Sequence, residues 1–206
     1  MLKMRSPDQP PGDRVLSRIP AYLPRNRLSW PIAALAALFV AGCGDRSPPA
    51  PALVHACAPD SSLTTTLHGT IAAGVEWGPD VLACEGMPRP EGNGARLRMS
   101  GPLTDAANGK TVAFILGIPA LGKGMTAREL PTNVTLIEEG SGRFFGTLDT
   151  SGCWTDVTRH EQVNGSHYEI RGTVYCLSPL AELNGGSSIS FTELQFSSRL
   201  DWEPPK

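Results

Sequence analysis

Between Leu63 and Trp77 the chain alternates: Leu63, Leu67, Ile71, Val75 and Trp77 occupy odd positions, while Thr64, Thr66, His68, Thr70 and Glu76 occupy even ones. A period of two puts one face of a strand in a core and the other in water. Fifteen residues exceed a usual strand, so a bend or bulge is expected at Gly69 or Gly74. The run 95–100 repeats the pattern, with Leu97 and Met99 inward and Arg96 and Arg98 outward, whereas 111–116, TVAFIL, is apolar on both faces and is expected centrally. NVTLIEE and GRFFGTLD follow, joined by a hairpin turn around Gly140-Ser141-Gly142. Near the end, Ile189 and Phe191 are odd but Leu194 and Phe196 even, a phase slip at Thr192-Glu193 that predicts a β-bulge. Helical signals are few. Ser178-Pro179 closed by Gly185 predicts one or two turns, and 126–130 closed by Pro131 a single turn. The prediction is an all-β domain, a single antiparallel β-sandwich or flattened barrel of about eight strands.

The segment 153–177 can be laid out residue by residue. Asn164-Gly165 lies between two strand-like runs, and both residues tolerate the positive φ of a type I′ turn. A two-residue loop sets Val163 against Ser166, and counting down both strands brings Cys153 opposite Cys176, in a hydrogen-bonded pair about 5.5 Å apart at Cα. One face then carries Cys153, Thr155, Val157, Val163, Tyr168 and Ile170 toward the core. The other carries Asp156, Thr158, His160, His167, Glu169 and Arg171, with Trp154 against Tyr175 at the base. With Cys153 and Cys176 paired, Cys57 and Cys84 are left to form the second disulfide.

The chain before this domain has a different composition. Six of the 18 Lys and Arg fall in residues 1–42, followed by the uncharged run LSWPIAALAALFVAGC from Leu28 to Cys43. A basic segment, a short apolar core and small residues form a secretion signal, and the apolar run is too short for a spanning helix. Val40-Ala41-Gly42-Cys43 resembles the lipobox of bacterial lipoproteins. The resemblance implies cleavage before Cys43, acylation of that cysteine and, with Gly44 rather than Asp following it, an outer-membrane anchor, on the periplasmic side or at the cell surface. The expected organisation is a signal peptide over 1–42, a lipidated Cys43 with a Pro-rich tether over 43–56, and a β-sandwich domain over 57–206. An oxidising compartment suits both disulfides. Without the leader, 12 basic and 18 acidic residues remain, since two of the 20 acids also leave with it. A chain of that balance has no electrostatic footprint for nucleic acid.

Chemistry-bearing motifs are sparse. Gly117 to Lys123, GIPALGK, spells most of a phosphate-binding loop, but Gly124 stands where Ser or Thr would hold Mg²⁺ and Pro131 stops a following helix. A structural turn is expected. His160, His167 and Glu169 share the polar hairpin face and are the ligand types of zinc or copper, yet a solvated face with a His160 to Glu169 pair accounts for them, and no metal or cofactor is expected. There is no Gly-x-Ser-x-Gly, and Glu138, Glu139, Asp149 and Asp156 read as surface acids.

The segments LACEGMPRP, LPTNVTLIEEGSGRFFGT, GCWTDV and YCLSPLAELNG together resemble small secreted β-rich lipoproteins of Gram-negative bacteria. The resemblance implies fold and location and carries no catalytic residues. The leading expectation is a non-enzymatic binding or envelope-accessory module, anchored to the membrane through its lipid. Its partner would be an envelope protein met through the Trp154/Tyr175 face or the loops at 86–95 and 117–131. A calycin-like carrier of a small apolar ligand and a periplasmic hydrolase are the alternatives; the carrier needs an open interior lined by Phe114, Phe144, Phe145 and Phe191.

Overall fold

The computed structural model describes residues 57–103, 109–147 and 152–203. The leader 1–42, Cys43, the tether with His55, and Asp149 lie outside the described residues. The described chain is all-β, and no helix occurs in it. The strands are β1 (Ser62–Gly69), β2 (Ala73–Trp77), β3 (Ala83–Pro88), β4 (Ala95–Pro102), β5 (Thr111–Ile118), β6 (Ala127–Pro131) and β7 (Asn133–Glu138). They continue as β8 (Arg143–Gly146), β9 (Cys153–Asn164), β10 (His167–Cys176), β11 (Leu180–Glu182), β12 (Ser188–Phe191) and β13 (Leu194–Asp201). All join one antiparallel sheet, ordered β3-β4-β5-β7-β8-β11-β12-β1-β13-β10-β9-β6, with β2 on β1. The path does not close. It folds over itself, which gives the architecture of a sandwich or flattened barrel.

Where the folded sheet meets itself, small residues admit the approach. A Cβ on Gly86 of β3 would sit 2.2 Å from the Arg199 carbonyl oxygen and 2.8 Å from Leu200 Cα on β13. Gly101 of β4 likewise receives the Trp77 ring, whose indole N–H donates to the Pro102 carbonyl at 2.8 Å. Between these contacts the interior is filled: Leu63, Leu97, Phe114, Leu136, Phe145 and Ile170 are fully buried, and Phe114 packs edge to face on both Trp77 and Phe191. The chain turns the corner from β6 to β7 at buried Thr132, whose hydroxyl bonds Thr155 Oγ1 at 2.7 Å and the Leu130 carbonyl at 2.8 Å.

Several expectations are met in detail. Leu97 and Met99 are buried, β5 is bracketed by β4 and β7, and the β7–β8 turn carries positive φ at Gly140 and Gly142. At the phase slip, two residues of β1, Thr65 and Thr66, face three, Thr192 to Leu194, which is a β-bulge. Thr192 holds it by donating its N–H to the Thr66 carbonyl and accepting the Thr66 N–H on its hydroxyl.

Other expectations are corrected. The run 63–77 is a hairpin and not one long strand: the chain reverses after Gly69, at φ +100°, and Leu63 pairs with Trp77. Odd residues then face odd residues, so the alternation survives the reversal. The described residues hold thirteen strands where about eight were expected. The two helical turns are strands β11 and β6, because Leu180 pairs with Ile189 and Leu130 with Thr155, and these ladder bonds outweigh local capping signals.

Candidate functional site

The β9–β10 hairpin carries most of the residues singled out above. Its base follows the predicted register: Cys176 faces Cys153, Tyr175 faces Trp154, and both Cys153–Cys176 and Cys57–Cys84 are disulfide-bonded. The cysteine pair is of the non-hydrogen-bonded kind, since Leu177 N–H donates to the Gly152 carbonyl one step further out. The tip departs from prediction. Asn164 pairs with His167, so the turn is Gly165-Ser166, one residue later than expected. Two register shifts bring the strands back into step, and the second leaves Thr158 of β9 unpaired between Val157 and Arg159.

That bulge inverts the outer half of β9. His160, expected on the polar face, is 3% exposed, and Val163, expected inward, is 64% exposed. The His160 ring stacks on Trp202 and meets Tyr168 edge-on. Its Nε2 accepts the Trp202 indole N–H at 2.9 Å, and its Nδ1 lies 3.1 Å from the Met125 carbonyl. His160 therefore fastens the 119–126 loop to the hairpin. Burial lowers its pKa, against a smaller opposing effect of the Met125 hydrogen bond. The loop that nearly spells a phosphate-binding motif is a lid on this cluster: no helix follows it, and Lys123 Nζ lies 5.5 Å above the Tyr168 ring.

The three candidate metal ligands are thus separated. His160 faces inward, His167 contacts Asp201 and Arg199, and Glu169 pairs with Arg171 at 3.0 Å and Arg159 at 3.5 Å. Among the described residues no cluster of His, Cys, Asp or Glu has the arrangement of a metal site. The carboxylates have structural partners. Glu138, 2% exposed, is no surface acid: it meets Lys110 Nζ at 2.5 Å and Arg143 at 3.5 Å, and the Lys110 hydrogen bond holds its pKa low despite burial. Glu139 pairs with Arg98, and Asp156 accepts the Glu129 N–H at 2.7 Å. Of the loops expected at 86–95 and 117–131, residues 86–88 belong to strand β3 and 127–131 to strand β6.

What remains is the outer face of β1, β13, β10 and β9. Trp154 and Tyr175 stack there, with ring centroids 5.9 Å apart and planes at 25°. Burial of its hydroxyl, with the nearby charges of Asp156 and Glu129, raises the Tyr175 pKa. The next row across the strands is Thr64, Gln195, Thr173 and Asp156, and the row beyond is Ser62, Ser197, Arg171 and Arg159. The short side chains of Ser62, Thr64 and Ser197, beside the longer Gln195 and Arg171, leave a trough of about 270 Å³, floored by Ser197 and the backbone of Gly172 and walled by Asp60, Arg171, Thr173 and Gln195. Arg171 is charge-compensated by Glu169 at 3.0 Å and Asp60 at 3.3 Å. Ser197, 5% exposed, has no hydrogen-bond partner for its hydroxyl among the described residues, and neither does Arg171 Nε. Such groups are rare in folded proteins and cost about 1–3 kcal/mol each when left unmade.

Sequence reasoning found the aromatic pair and missed the trough. The trough joins strands more than a hundred residues apart, and the one available signal was the run of short hydroxyl side chains on the wet side of β1. Comparison with protein-family models, curated proteins and solved structures gives no match to this chain, so its function is argued from this face.

Proposed function

We propose that this chain is a lipid-anchored, non-enzymatic binding module of the bacterial cell envelope. Cys43 is its acylated residue, the outer membrane its support, and the outer face of β1, β13, β10 and β9 its working surface. The observation that carries this reading is the stacked Trp154–Tyr175 pair, left on the solvent side next to a concave polar trough. Aromatic groups placed outside a filled core are those most useful in recognition. Two disulfides suit an oxidising compartment.

The alternatives find less support. Phe114 and Phe145 are fully buried among packed neighbours and Phe144 is 40% exposed, so these rings do not line one open chamber as a carrier would require. A hydrolase needs a carboxylate or nucleophile free to react, whereas Glu138, Glu139 and Asp156 are engaged with cations or backbone.

Replacing Cys43 with Ala tests the anchoring. Metabolic labelling with a fatty-acid analogue should mark the wild-type chain and not the variant, and the variant should move from the membrane to the soluble fraction. Unchanged fractionation would refute the lipid anchor. The binding role is tested by a photo-crosslinking side chain at Trp154 in intact cells, which should trap an envelope component that the same group at Val81, elsewhere on the surface, does not.

A further inference from the structure

We infer that the trough on the outer face binds a neutral, polyhydroxylated ligand, a carbohydrate, whose ring lies against the Trp154–Tyr175 shelf. The inference rests on the binding-module reading and names its ligand class. The first element is the pair of unpartnered polar groups. Ser197 Oγ, in a residue 5% exposed, and Arg171 Nε both line the same concavity without a partner among the described residues. A hydroxyl can donate and accept, and a guanidinium N–H only donates, so hydroxyl groups on a ligand suit both.

The second element is charge. Arg171 already faces Glu169 at 3.0 Å and Asp60 at 3.3 Å, and Arg159 is shared between Glu161 at 2.9 Å and Glu169 at 3.5 Å. An anionic ligand would meet these carboxylates before it gained an uncompensated cation. A neutral ligand with many hydroxyls meets no such penalty. The remaining walls, Thr64, Thr173 and Gln195, offer both donors and acceptors.

The third element is the shelf. Tyr175 follows Thr173 by two residues on the same face of β10, about 7 Å along the strand. Trp154 stacks against it at 5.9 Å. A sugar presents hydroxyls at its rim and an apolar C–H face; Arg171 lies four residues from Tyr175 along β10, about 14 Å, so an oligosaccharide meets the trough with one unit and the shelf with another. Of the other candidate cavities, the one between Pro59 and the hairpin tip, about 200 Å³ and lined by Val163, His167 and Arg199, lacks a buried unpartnered group.

The test is calorimetric titration of the full chain with chitotriose, cellotriose and maltotriose, with trigalacturonate and inorganic phosphate as anionic controls. Saturable one-to-one binding of at least one neutral trisaccharide is expected, weakened about ten-fold by Ser197→Ala and to a similar degree by Trp154→Ala. Thr64→Ala, an exposed position on the opposite wall, tests the same trough where folding is least at risk and should weaken binding a few-fold. Absence of binding by all three neutral sugars, binding indifferent to Ser197→Ala and Thr64→Ala, or tighter binding of an anionic control would overturn the inference. If no sugar binds but the crosslinker at Trp154 traps a protein, the carbohydrate class falls and the binding module stands; if neither occurs, both fall.

Discussion

The Trp202 indole N–H can only donate, so the His160 nitrogen it points at carries no proton, and the proton sits on Nδ1 facing the Met125 carbonyl. The Trp202 bond requires the neutral ring, and burial works in the same direction by lowering its pKa below 6.5, whereas the Met125 bond survives protonation and opposes that shift more weakly. The unfolded chain takes up a proton near that value and the folded one does not, so stability is complete above about pH 6.5 and declines as pH falls below it. The slope is at most about 1.4 kcal/mol per pH unit. Urea midpoints measured at pH 7.5 and 5.5 should differ more for the wild type than for His160→Gln, which keeps a hydrogen-bonding side chain without the titration. Equal differences would remove His160 as the cause. The position of His160 was not legible in the sequence. Alternation along β9 put it in water; the bulge at Thr158, fixed by a loop 35 residues upstream and a Trp 42 residues downstream, put it inside.

At the scale of the element, what could be read was what local chemistry decides. The Asn-Gly signal announced the hairpin, and the pairing of Cys153 with Cys176 held although the turn sits one residue away, because the two later register shifts offset it. The β12–β13 bulge was legible as a change of phase. The strands β6 and β11 were not, since their partners β9, β8 and β12 supply the bonds that make them strands. The close passage of β3 over β13 is a further long-range feature, and it gives a sharp test. Gly86→Ala places a methyl group 2.2 Å from a backbone oxygen and 2.8 Å from a Cα, both on β13, and neither can give way as the end of a flexible side chain would. A loss of about 1–3 kcal/mol in unfolding free energy is expected from denaturant titration. Gly74→Ala, where nothing lies within 4 Å, should cost far less.

Over the whole molecule, ion pairs tie strands that the chain visits far apart. Arg143 of β8 reaches Glu182 of β11 at 2.7 Å and Glu138 of β7 at 3.5 Å. The hydrogen bonds of Arg143 and Ser187 hold the Glu182 pKa at about 2, and Lys110 holds that of Glu138 below 4.5. Depressed carboxylate pKa values contribute stability that is complete above the unfolded value near 4.5 and is lost as pH falls through the folded one. The thermal midpoint should therefore fall progressively between pH 5 and 2. Arg143→Met should lower the midpoint at neutral pH and flatten that decline; an unchanged decline would show that these pairs are not its source.

The unclosed sheet has one more consequence, which concerns many molecules side by side. Its last strand, β6, presents a free edge, but Pro131 offers no N–H there, Arg128 and Glu129 bring charge, and Glu129 at φ 55° breaks the ladder between Ala127 and Leu130. An incoming strand finds no regular row of donors and acceptors to copy. At this edge neighbouring chains can thus stand close together without one extending the other's ladder, and the sheet stays open there without becoming a template.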